Sequence, residues 1–495
     1  MAKFISSRYY YALRRADAPP ADPHCTEETL VKTCTHPVRG VSFLVAVAVA
    51  VLGVGSSLSE TTNKEGEIDR LVQQLGSDSF SERETATKAL DRLGEQAVPA
   101  LRRALASTDA EVRRRAKNLV VVIETRLKEQ ALAVVKAVGG QVDPHDSDGL
   151  FRVSLGSLEV REVTDADLAC LKWLGPIEHL QLSGTKVTDV GIAQLSIFHR
   201  LQKLEIYGTQ LTDAGLRHLA ELQRLKHLRL SGQTIGDDGL THLRGLSQLT
   251  HLELIGTTVT DAGLIHLKEL RNLSRLNLAH ARVTGTGLVH LKGHRKLTYL
   301  YLVRAKLTDE GLAGLKDLLG LRSLFLSETR ITDAGLAHLE RLRQLQTLWL
   351  DFTQITDDGL VHLSGLDDLV DLNLTHTPIT EAGLVHLRGL KKLQRLNLTA
   401  TRVAGLRHLA GLENLQELNL SGTKITDAEL AHLRKLPKLE RLDLGWTEVT
   451  DAGLEQLKEM ERLQSVTYTK TKVSDKAAAE LHKILRERSE RPRTR

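Results

Sequence analysis

The 495-residue chain carries 67 Lys and Arg against 62 Asp and Glu, a net charge of +5, and aromatics make up only 3% of it. Acids and bases are interspersed, which excludes the concentrated basic footprint of a nucleic-acid binder. Leu dominates the apolar residues, so the core is expected to come from one small packing unit used many times. Three cysteines, Cys25, Cys34 and Cys170, give neither a disulfide framework nor a CxxC metal site.

Residues 1–40 form a basic leader containing Lys3, Arg8, Arg14, Arg15, Lys32 and Arg39. The run that follows, VSFLVAVAVAVLGVGSSLS at 41–59, carries no charge. It is long enough for a membrane anchor of about 18 residues or more, and its small-residue end also suits a cleaved secretory signal. In both cases the basic flank keeps the N-terminus inside. Everything after residue 60 is then exported, to the periplasm or cell surface.

Residues 64–138 repeat apolar positions at three and four, the helical period. Ser81 with Glu84 and Thr108 with Glu111 have capping-box spacing, Gly76 and Gly94 fit helix ends, and Pro99 fits a first turn. RETATKALDRLGEQAVPALRRAL followed by DAEVRRRA resembles HEAT-like helical repeats; a plain helical cap or spacer is the alternative. GGQVDPHDSDG, at 139–149, is a turn-rich joint.

From residue 150 to about 485 the pattern L-x-x-L-x-L recurs, starting at Ile177 and then at Leu201 and onward to Leu463. Every step is 24 residues except that from Leu393 to Leu415, which is 22 because TRVAGLRHL lacks the Thr-Asp pair. A half-unit before the series and VTYTKTKVSDKAAAELHKIL after it fit terminal caps, and 486–495 fits a solvated basic tail. Units such as LQELNLSGTKITDAELAHLRKLPK resemble leucine-rich repeats of bacterial type. Their Thr-Asp-x-Gly-Leu turn and helix relate them to the ribonuclease-inhibitor-like and F-box-associated subclass. The resemblance implies an α/β fold, a right-handed solenoid with parallel strands on the concave side and helices on the convex side, behind an all-α segment. It also implies a binding module, without catalysis and without a cofactor.

The turn threonines Thr332, Thr356 and Thr426 are placed to cap helices, with Asp333, Asp357 and Asp427 at the positive end of the helix dipole. One column reads His218, His242, His266, His290, His338, His362, His386, His408 and His432. It lacks carboxylate or thiolate partners at ligand spacing, so these rings are expected to bond a neighbouring turn or carbonyl rather than a metal.

Outward strand positions escape the scaffold pattern. Tyr299, Tyr301, Phe325, Trp349 and Phe352 are five of the 17 aromatic residues and fall on three adjacent units. Strand stacking would gather them into one patch rimmed by Arg275, Arg304, Asp351 and Asp371. Aromatics inside a polar border are the composition of interaction hot spots. The expected partner is a protein or peptide. A glycan is the alternative, since aromatic platforms beside Asn and Asp also suit sugar rings. Nucleophile elbow, phosphate loop and zinc motif are all lacking, which weighs against an enzyme.

Overall fold

A computed structural model describes residues 64–144, 149–156 and 162–490. The charge-free run at 41–59, Cys25 and Cys34 lie outside the described residues. Among those described, no helix is long and apolar enough to cross a membrane.

Helices fill the first segment as the period predicts: α1 over 64–74, α2 over Phe80–Leu93, α3 over Val98–Ala104 and α4 over Ala110–Ala137. Pro99 sits in the first turn of α3, and Gly94 ends α2 at φ 56°. The caps differ from the predicted boxes. Ser79, not Ser81, accepts the Glu82 amide, and Asp109, not Thr108, accepts the amides of Glu111 and Val112 at 2.7 and 3.2 Å. In both cases a neighbouring Ser or Asp side chain reaches the orphan amides in better geometry.

α4 belongs to two cores. Val112, Ala116 and Ile123 pack within the helical segment, whereas Ala131 and Val135 join the first buried layer of the solenoid. Trp173 touches both. The helices therefore cover the end of the repeat stack.

One 15-stranded sheet follows in sequence order. β1 (Gln141–Pro144) pairs antiparallel with β2 (Phe151–Leu155), and every later strand is parallel to the one before. β3 to β6 span Ile177–Ser183, Lys203–Tyr207, His227–Ser231 and His251–Ile255. β7 to β10 span Arg275–Asn277, Tyr299–Tyr301, Ser323–Phe325 and Thr347–Trp349. β11 to β15 span Asp371–Asn373, Arg395–Asn397, Glu417–Asn419, Arg441–Asp443 and Ser465–Thr467. Register is strict, Leu324 beside Leu348 beside Leu372, so the columns seen in the sequence are columns in space. The inward Leu layer is continuous from Ala131 to Leu485.

The opposite side is shorter than a conventional helix. A turn of α-helix such as Asp333–Leu336 runs into a 3-10 turn, Ala337–Leu339, and in the unit of β10 the whole Asp358–Leu363 segment is 3-10. A unit of 24 residues leaves no room for more once strand and turns are made.

Of the turn threonines, Thr332 and Thr426 make no side-chain cap bond while Thr450 does, and the series has a second task besides capping. Thr356 donates its amide and its hydroxyl to Asp333 of the preceding unit, at 2.7 and 2.6 Å. The same pair of bonds joins Thr332 to Asp309, Thr380 to Asp357 and Thr450 to Asp427. Each unit is thus clipped to the next through a charge-assisted contact. The clip also dictates the glycine of Thr-Asp-x-Gly-Leu. A Cβ on Gly359 would lie 2.2 Å from Asp333 Oδ1.

In the 22-residue unit the Thr and Asp are both missing, and there the glycine rule lapses. Glu429 stands in the glycine column and reaches back to take the Leu406 amide at 3.1 Å. A second interruption falls at Gly285, which replaces the Asp. The Thr308 amide then bonds the Thr284 carbonyl at 3.0 Å, and its freed hydroxyl caps its own helix by accepting the Gly311 amide at 3.2 Å.

At the far end, the helix Asp475–Glu490 seats Ala477, Leu481 and Leu485 on the core. It continues past the predicted boundary at 485, and Arg488 donates to the Met460 carbonyl at 3.0 Å.

Candidate recognition surface

Parallel register sets every outward side chain of one strand beside its counterpart on the next. Tyr301, Phe325 and Trp349 are such counterparts on β8, β9 and β10. The Tyr301 and Phe325 rings stack at 4.3 Å with 3° between planes, and Phe325 meets Trp349 edge to face at 5.0 Å and 84°. These are the two favoured geometries for ring pairs. The Trp349 indole nitrogen is buried without a partner, so the part of its side chain that reaches solvent is carbon.

Tyr299 joins through a cation. The Arg275 guanidinium lies 4.7 Å from the Tyr299 ring centroid and 6.0 Å from that of Tyr301, and Tyr299 is 37% exposed. Burial pushes the Tyr301 hydroxyl pKa up, against the pull of Arg275, so it stays protonated at neutral pH.

Phe352 stands apart from that column. Its backbone turns into the left-handed region, φ 55°, and its ring stacks on His376 at 4.4 Å. It is 39% exposed and forms a second, smaller platform. The whole column at this position has positive φ: glycines Gly184, Gly208, Gly232 and Gly256, then His280, Arg304, Glu328, Phe352, His376 and Ala400. The change from glycine to larger residues near the rings is thus a change of side chain on one unchanged turn. His376 belongs with the site and was visible in that column one unit beyond Phe352.

The rim divides. Arg304 is exposed and pairs with Glu328 at 2.6 Å, and Asp371 pairs with Arg395 at 2.7 Å. Asp351, expected at the border, is buried at 5% exposure. It accepts from Ser327 at 2.6 Å and from Asn373 at 3.0 Å. Burial pushes its pKa up, and the Ser327 bond opposes that. Asp351 is a brace beside the rings rather than a contact residue, held between the side chains of Ser327 and Asn373 on the neighbouring units.

Elsewhere on the strand face, His227 and His251 stack at 4.1 Å. Burial, with the nearby charge of Lys203 and Arg275, lowers both pKa values, that of His251 to about 4. Tyr207 is not isolated: Arg229 lies over it at 5.2 Å, and Gln181 donates to its hydroxyl. On the opposite side the histidine column bonds side chains, not carbonyls. His362 meets Glu340 at 2.6 Å, and Arg244 donates to His266 at 3.1 Å. The histidine that does contact carbonyls is His294, buried in a Leu column between the oxygens of Leu291 and Leu267. Cys170 is half-buried beside the core, its thiol bonded to the Asp167 carbonyl and its pKa raised by burial. Among the described residues no group of three or more His, Cys, Asp or Glu could hold a metal ion.

The family description "Leucine Rich repeats (2 copies)" matches residues 413–458, and "Leucine Rich repeat" matches 293–316. Both spans fall on parallel strand-and-turn units of the stack. The chain is a leucine-rich repeat protein. An internalin of Listeria monocytogenes, InlF, is similar in structure at TM-score 0.52 and 25% identity, over 65% of this chain and 87% of that one. A leucine-rich repeat protein of Leptospira interrogans gives TM-score 0.48 and 20% identity, over 65% of this chain and 90% of that one. A comparison with curated proteins finds no match.

Proposed function

We propose that this leucine-rich repeat protein is a non-enzymatic recognition module that binds a protein or peptide on the strand face over β8–β10. The observation that carries the reading is the column Tyr301–Phe325–Trp349, held at stacking distance on a rigid sheet with half-exposed rings. Rings already fixed in place lose little side-chain entropy on binding, and polar groups flank them. The repeat scaffold of the internalin neighbour is compatible with this use. The charge-free run at 41–59, after its basic leader, supports export, with the solenoid outside and residues 41–59 serving as signal or anchor. The helices over 64–138 act in this reading as the proximal cap of the binding arc.

The test is replacement of Trp349 and Phe325 by Ala in the full-length chain, followed by capture from a cell-envelope extract. Both sites are half-exposed, so circular dichroism is expected to be unchanged while the captured partner is lost. Retained capture by the double variant would refute the site.

A further inference from the structure

Beside the rings, across β11–β15, lies a groove of about 310 Å³ with Trp349 as its wall toward the aromatic column. That is within the range of small-ligand sites, roughly 300–1,000 Å³. We infer that this groove is a second binding site, and that its ligand is a neutral, hydroxyl-rich molecule, a short glycan.

Three features select that chemistry. The first is a row of aimed donors. Asn397 Oδ1 accepts the Thr399 amide and hydroxyl at 3.0 and 2.6 Å, and Asn419 Oδ1 accepts the Ser421 amide at 2.9 Å. The Asn397 oxygen is filled and the Asn419 oxygen is turned to its own chain, so both side chains offer their NH₂ groups outward, one strand apart. Neither NH₂ has a protein partner among the described residues.

The second is charge balance. Asp371 pairs with Arg395, and Glu417 pairs with Arg441. These pairs alternate along the groove and cancel, and the remaining charged lining residue, Asp443, turns one oxygen to the Gly445 amide, so acceptors and donors stand side by side with a net charge of one negative. An anion finds no unmatched cation to repay its desolvation, and a cation finds one carboxylate, Asp443, that already holds the Gly445 amide. A hydroxyl both donates and accepts, so a polyol can satisfy both kinds of group at once.

The third is the wall. Carbon atoms of Trp349 are the apolar surface here, because the indole nitrogen is buried. One flat apolar wall suits the C–H face of a sugar ring. The groove provides no apolar pocket of the kind that anchors a peptide side chain.

The site rests on the same Trp349 as the proposed protein-binding column but is otherwise distinct, and is tested through residues that the column lacks. Neutral tetrasaccharides of glucose and of N-acetylglucosamine are titrated calorimetrically into the full-length chain. The informative variant is Asn397→Asp with Asn419→Asp. Asp443 occupies the same column and accepts the Gly445 amide at 2.9 Å, so the exchange keeps the turn while it turns each outward donor into a charged acceptor. A binding neutral saccharide with at least tenfold weaker affinity in this variant is expected, and Tyr299→Ala is expected to retain binding. As a readout free of groove variants, saccharide is expected to shift Trp349 emission in a chain carrying Trp173→Phe and Trp446→Phe. Absence of binding at millimolar saccharide would overturn the assignment, as would affinity within twofold in the Asp variant. Binding confined to an anionic saccharide, or lost equally in Tyr299→Ala, would overturn it too.

Discussion

A single carboxylate shows how this chain assigns its residues. Asp333 receives two bonds from Thr356, 23 residues away, and its position forbids any side chain at Gly359. Asp333→Ala removes both bonds and leaves the Thr356 amide unpaired, so a loss of about 1–3 kcal/mol in chemical denaturation is expected. Gly359→Ala is expected to destabilise comparably, by collision rather than by lost bonds. The Thr-Asp-x-Gly-Leu motif was legible in the sequence, but its bonding was not. Periodicity places Thr and Asp next to each other in every unit and cannot distinguish a local cap from a contact one unit away. Only Glu429, a glycine replaced where the 22-residue unit lacks its Asp, hinted that glycine and Asp belong to the same contact. Ala400, at φ 53°, is a further residue in a conformation suited to glycine. Ala400→Gly is expected to stabilise by about 0.5–1 kcal/mol, the left-handed strain removed less the added backbone freedom.

Strands and turns carry the pH response. The stacked pair on β5 and β6 has both pKa values below the ordinary 6.5, and burial lowers His294 in the same direction. In the unfolded chain these rings take up protons first, near 6.5. Their contribution is therefore complete above that pH and is lost as pH falls toward the folded value, about 4 for His251. Thermal melts are expected to drop by about 2–5 °C between pH 7 and pH 5, and His227→Asn with His251→Asn to flatten that slope. Strand order and register were legible because inward Leu residues repeat with period two inside a longer period of 24. The shortness of the 3-10 segments was not, since GLVHL reads equally as one turn of either helix. The ring column was legible for the same reason as the Leu columns. Phe352 was misplaced because its left-handed backbone takes it out of the strand's alternation, and Asp351 because its bonds to Ser327 and Asn373 on other units leave no mark in the pattern.

At the scale of the molecule, the helical segment and the C-terminal helix close the two ends of an otherwise open stack. Composition predicted helices over 64–138 but not their dual membership. α4 carries one set of apolar residues for its own segment and another, Ala131 and Val135, for the solenoid. Val135→Asp buries a charge at that junction and is expected to lower the melting temperature of the whole chain, with exposed hydrophobic dye binding as the check. A melt unchanged from the unaltered chain would show that the stack needs no proximal cover.

The clip is lost outright at Gly285 and in the 22-residue unit, and halved at Gly236; the two losses bracket the units of β8 to β11, and Asp309, Asp333 and Asp357 fasten those four to one another without a gap. All the rings of the candidate surface stand on this fastened panel. Where strand pairing and the Leu layer run through but the clip does not, the stack is expected to give first under tension, as a folding screen does at its hinges. Amide hydrogen exchange faster at these two seams than within the panel is the measurement that checks it.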